Sequence, residues 1–118
     1  MAAAELRRIQ DRLAKANEHY WARQVEIQAS EVAAWSALAA GEKTVALREM
    51  EAAAELEDGT EKSAITPGPL APARELLGEM FLETNEPAKA LVQFEATLRN
   101  EPRRFHALYG AAQAAQLI

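Results

Sequence analysis

Apolar residues recur at steps of three and four from Ala2 to about Lys15. Leu6, Ile9, Leu13 and Ala16 therefore fall on one stripe of an amphipathic helix. Tyr20 continues the stripe, but Asn17 suits the cap of a new helix carrying Trp21, Val25, Val32, Trp35 and Leu38. The pattern predicts a break near Asn17, with a single long helix as the alternative. Gly41 reads as a left-handed stop, after which a helix from Glu42 or Lys43 to about Leu56 turns Val45, Ala46, Leu47, Met50, Ala53 and Ala54 inward. Residues 57–72 contain Gly59, Pro67, Gly68, Pro69 and Pro72, cannot form a continuous helix, and predict a loop.

Pro72 suits the first turn of the next helix, where its missing N–H costs nothing. That helix carries Leu76, Leu77, Met80, Phe81 and Leu82 and stops near Thr84-Asn85. Pro87 opens another, with Ala90, Leu91, Phe94 and Leu98 inward, which ends before Pro102. A last helix from Arg103 or Arg104 holds Leu108, Ala111, Ala112, Ala115 and Leu117-Ile118. No stretch alternates as a strand does, so an all-α fold is expected, and the short connections at Gly41 and 84–87 call for antiparallel pairs. The long insertion is expected either to pack Ile65 and Leu70 on the helices or to serve as a spacer.

Residues 71–104, APARELLGEMFLETNEPAKALVQFEATLRNEPRR, carry Leu77-Gly78 and Phe81 in the first helix, Ala90 and Phe94 in the second, and a closing Pro102. Small residues at Gly78 and Ala90 suit a close helix crossing, with Phe81 and Phe94 filling the space beside it. These spacings follow a 34-residue helix–turn–helix pattern, and the stretch resembles a tetratricopeptide repeat of bacterial type. Thr97 stands where a small Ala is usual, and Arg74 where an aromatic is common. Residues 27–58 look like a weaker copy built on Gly41, Ala46, Met50 and Ala53, although its start lies 44 residues before that of the next unit rather than 34. The resemblance organises residues 1–118 as one domain: an N-terminal helix (1–18), a degenerate repeat (19–58), an inserted loop (59–70), the best-matching repeat (71–104) and a capping or truncated repeat helix (105–118).

What the resemblance implies is a short right-handed superhelix of five to six helices, stacked as antiparallel hairpins, whose first helices line a groove for a partner peptide or helix. By matching positions, the groove presents Gln28, Glu31, Trp35 and Leu38, then Glu75, Glu79, Leu82 and Glu83, then His106, Tyr109 and Gln113. Independently of any family, Glu75, Glu79 and Glu83 at four-residue steps form one line of carboxylates, whose mutual repulsion a cation relieves. The clamp that such repeats use for a terminal carboxylate relies on Lys, Arg and Asn, which this surface lacks. A basic or mixed peptide is the expected ligand.

Composition narrows the chemistry. The 118 residues include 27 Ala and no Cys, which favours helix throughout and excludes disulfides, thiolate metal sites and cysteine nucleophiles. A net charge of −5 argues against nucleic acid, which needs a dense basic face. Seven acids against three bases over residues 42–62 read as a solvated helix surface. No run suits a signal peptide or a membrane span, so a cytoplasmic location is expected. His19 beside Tyr20-Trp21 reads as part of a helix-packing anchor, and His106 has no second ligand at a fixed spacing, so no metal is expected. The acids Glu57, Asp58 and Glu61 lack the Gly placement of a calcium loop, and Ser30, Ser36 and Ser63 lack an elbow motif. A non-enzymatic protein-interaction module without a cofactor is the expectation. The alternatives are a homo-oligomerising structural unit that buries its first and last helices against a second copy, or a regulatory part of a larger protein.

Overall fold

The computed structural model describes residues 2–60 and 71–118. These residues form six helices and no strand: α1 (Ala2–Lys15), α2 (His19–Ala39), α3 (Lys43–Asp58), α4 (Ala73–Glu83), α5 (Pro87–Asn100) and α6 (Phe105–Leu117). The chain is all-α. It divides into two compact units, residues 1–68 and residues 69–118. In the first, α2 packs against both α1 and α3. In the second, α5 packs against α4 and α6, and α4 also meets α6. Among the described residues no helix is long and apolar enough to cross a membrane.

One turn chemistry makes three of the connections. Asn17, Gly41 and Asn85 have φ of 60°, 82° and 60°, the left-handed conformation that Gly and Asn tolerate best. After each comes a Glu whose N–H reaches back to the carbonyl five residues earlier: Glu18 to Leu13 at 2.9 Å, Glu42 to Ala37 at 2.9 Å and Glu86 to Phe81 at 2.8 Å. These bonds satisfy carbonyls that the helix end leaves open. The same Glu then starts the next helix, its carbonyl accepting from Ala22, Ala46 or Ala90 four residues on, and each of these Ala is buried. The break at Asn17 is present, but Asn17 ends α1 and does not cap α2; the cap position is Glu18. An Asn side chain suits both tasks, and the short path back along α1 favours the left-handed one.

The boundaries of the long connection are tighter than expected. Residues 57 and 58 complete α3, and Pro72 occupies the cap position of α4 instead of its first turn. The Thr60 hydroxyl closes the end of α3 by donating to the Leu56 carbonyl at 2.7 Å. Ile65 and Leu70 lie outside the described residues.

Two helices bury a different face from the one the largest apolar residues suggest. In α2 the buried positions are Ala22, Ile27, Ala29 and Ala34, while Val25, Val32, Trp35 and Leu38 are half-buried and Trp21 is 46% exposed. Because α2 is flanked on both sides, small residues take the close crossings and the bulky ones lie beside them. Trp21 makes an edge-to-face contact with Tyr20, with ring centroids 5.0 Å apart, and is not an anchor of the core. In α6 the buried residues are Ala107, Gly110 and Ala114, whereas Leu108, Ala112, Ala115, Leu117 and Ile118 are exposed. Phe94 explains the choice. It is fully buried, and a Cβ on Gly78 would stand 2.8 Å from its ring, while one on Gly110 would overlap the same ring tip. Only residues without side chains let α4 and α6 close on that ring from α5, so α6 turns its glycine inward at the expense of Leu108.

Candidate binding surface

In the second unit the carboxylate line on α4 separates into three environments. Glu75 is buried, 2% exposed, and accepts two bonds from the Arg104 guanidinium at the start of α6: Nε to Oε1 at 2.7 Å and Nη2 to Oε2 at 3.0 Å. A second carboxylate, Glu101, lies 3.7 Å from Nη1. The hydrogen bond to Glu75, reinforced by the charges of Glu75, Glu101 and Glu79, holds the arginine more firmly protonated than usual. Glu75 is thus an internal tie between α4 and α6 and is not open to a partner, contrary to the sequence expectation. Burial wins because the fork geometry satisfies both carboxylate oxygens.

Glu79, one turn further, is half-buried, and Glu83 is exposed. Burial raises the Glu79 carboxyl above its ordinary range, the charges of Glu75 and Glu83 raise it further, and His106 and Arg104 oppose the rise. His106, Tyr109 and Gln113 are all exposed on α6. The Tyr109 ring stacks with Phe105, with centroids 6.1 Å apart and planes 19° from parallel, and Phe105 meets His106 edge-on at 5.8 Å. The charge of His106 acts on Glu79, and α4 and α6 pack against each other in this unit. Leu82, next to Glu83 on α4, is half-buried.

In the first unit, Gln28, Glu31, Trp35 and Leu38 fall on one stripe of α2, with Gln28 exposed and the other three half-buried. Burial, followed by the charge of Glu57 on α3, pushes the Glu31 carboxyl up to about 8. Such a carboxyl is largely neutral near neutral pH and donates a proton in a hydrogen bond as readily as it accepts one.

The two departures from the repeat pattern each have a local role. Thr97 is buried, and its hydroxyl donates to the Gln93 carbonyl at 3.1 Å, so its extra polarity is satisfied within α5. Arg74 donates to Gln93 Oε1 at 3.0 Å, joining α4 to α5 where an aromatic would pack.

Compared with protein-family models and with curated proteins, the sequence matches none. Among the described residues no group of three or more His, Cys, Asp or Glu is arranged to hold a metal ion. Sequence reasoning missed Arg104 and Gly110. Arg104 lies 29 residues from Glu75, beyond any helical spacing, whereas a lone Gly among apolar positions of a helix is a readable mark of close packing.

Proposed function

We propose that this protein is a non-catalytic, tetratricopeptide-like interaction module that needs no cofactor and binds a basic peptide segment on the α4–α6 face of its second unit. One observation carries the reading: Glu79 and the exposed Glu83 stand on α4, which packs against α6 with its exposed His106 and Tyr109, while the neighbouring cation, Arg104, is already committed to Glu75. A lysine or arginine from a partner would favour the ionised form of Glu79 and relieve its repulsion with Glu83, and Tyr109 offers a ring face for the same cation.

Fluorescence anisotropy with labelled peptides tests this. Lys- and Arg-containing peptides should bind and acidic controls should not, and Glu79→Gln with Glu83→Gln should weaken binding roughly three- to tenfold, in keeping with partly exposed ion pairs. Affinity should also fall with added salt. Equal binding of basic peptides to the wild type and the double variant would remove the basis of the proposal.

A further inference from the structure

Helix α6 carries two apolar stripes and uses one. Ala107, Gly110 and Ala114 face the α5 side, where Gly110 meets the Phe94 ring. Phe105, Leu108, Ala112 and Ala115, spaced by three, four and three residues, form the other stripe and are exposed, Phe105 at 71% and Leu108 at 49%. A helix apolar on both sides is one that proteins bury on both sides. Charge points to the occupant. Each chain carries a net −5, so two copies repel over most of their surfaces, yet α6 is the one described helix without an Asp, Glu, Lys or Arg. It is where two copies meet with least electrostatic opposition.

We infer that the Phe105–Leu108–Ala112–Ala115 stripe is a self-association surface, on which α6 of a second copy packs antiparallel about a two-fold axis. The residues of such a contact are self-complementary. Ala112 and Ala115 leave room for the partner's Leu108 and Phe105, and Ala112, next to the midpoint of the helix, lies close to its own copy near the axis. The antiparallel arrangement also carries each Arg103, exposed just before α6, toward the carbonyl end of the other helix, where a cation is favoured. A single helix pair lies at the small end of interface sizes, below about 1,200 Å², so the dimer forms and dissociates with concentration. Leu108, Ala112 and Ala115 lie on a different flank of α6 from His106, Tyr109 and Gln113, with Phe105, whose ring meets both Tyr109 and His106, between the two; self-association is read from the oligomeric state and peptide binding from anisotropy.

Sedimentation equilibrium of the full chain over a broad dilution series is the test. The wild type should pass from one chain to two as concentration rises. Ala112→Glu and Ala112→Lys, each with the helical circular dichroism of the wild type, should each stay single at every concentration, and an equimolar mixture of the two should regain the dimer through opposite charges at the axis. A wild type that remains single throughout, a dimer indifferent to Ala112→Glu, a mixture that stays single, or growth beyond two chains would each overturn the inference.

Discussion

Gly110→Ala sets two known effects against each other, and the structure decides the sign. In the middle of an uncrowded helix, replacing Gly by Ala stabilises by about 1 kcal/mol, because Ala loses less backbone freedom on folding. At Gly110 the new methyl would overlap the tip of the Phe94 ring, with Cε2 at 2.8 Å and Cζ and Cε1 closer still. Phe94 is fully buried, and the same ring tip lies 2.8–3.0 Å from where a methyl on Gly78 would stand, so α4 hems it in. Overpacking of this kind costs about 1–3 kcal/mol. The balance is a net loss of up to about 2 kcal/mol for Gly110→Ala and a smaller loss for Gly78→Ala, whose contacts are less severe. Urea unfolding followed by helical circular dichroism measures both. Phe94→Leu is the control background: the shorter side chain vacates the ring tip, and Gly110→Ala should then cost less than in the wild type. Stabilisation by Gly110→Ala in the wild-type background would refute the reasoning, since it would mean that α6 does not press on Phe94.

Arg104→Ala should destabilise by about 3 kcal/mol, because it strands the Glu75 carboxylate in the interior without its fork partner; a loss under about 0.5 kcal/mol in urea unfolding, the size of an exposed pair, would show that the tie is not buried in solution. Glu31 gives a pH signature of unusual sign. Its folded carboxyl holds its proton up to about 8 against an ordinary value of 4.5, so the unfolded chain releases that proton first and stability declines as pH rises through this interval, levelling off above it. Glu31→Gln should leave stability unchanged below the interval and raise it by about 1–2 kcal/mol at its upper end, after discounting for partial exposure. Chemical denaturation across the range checks this, and parallel pH curves for the two proteins would count against it.

Much of the fold was legible because helix ends are local. Gly41, Pro87 and Pro102 act on their own backbone and near neighbours, and all three mark the boundaries they suggest. Asn17 and Asn85 belong with Gly41, and the recurring Asn/Gly-Glu followed by Ala four residues after the Glu is visible in the chain once the turn geometry is known. The candidate surface was legible only in part. Glu79, Glu83, His106, Tyr109 and Gln113 share the second unit at accessible positions, but Glu75, identical to Glu79 and Glu83 in residue type and spacing, is withdrawn by Arg104. Helical periodicity places a carboxylate on a face; it does not say whether a cation from another helix closes over it.

By itself, then, the amino-acid sequence determined an all-α chain, the stops between its helices and the smallness of the residues at their crossings, because these follow from backbone preferences acting over about one helical turn. Tertiary structure decided which of two apolar stripes α6 buries, which bulky residues α2 leaves partly outside, and which of three equivalent glutamates becomes a tie. In α2 the outcome follows from its packing between α1 and α3; in α4 and α6 the outcomes turn on steric fit around one ring, Phe94, and on a guanidinium arriving from 29 residues away. The pattern marks Gly110 as a site of close packing, but which ring it meets and which cation closes over Glu75 are properties of the space between helices.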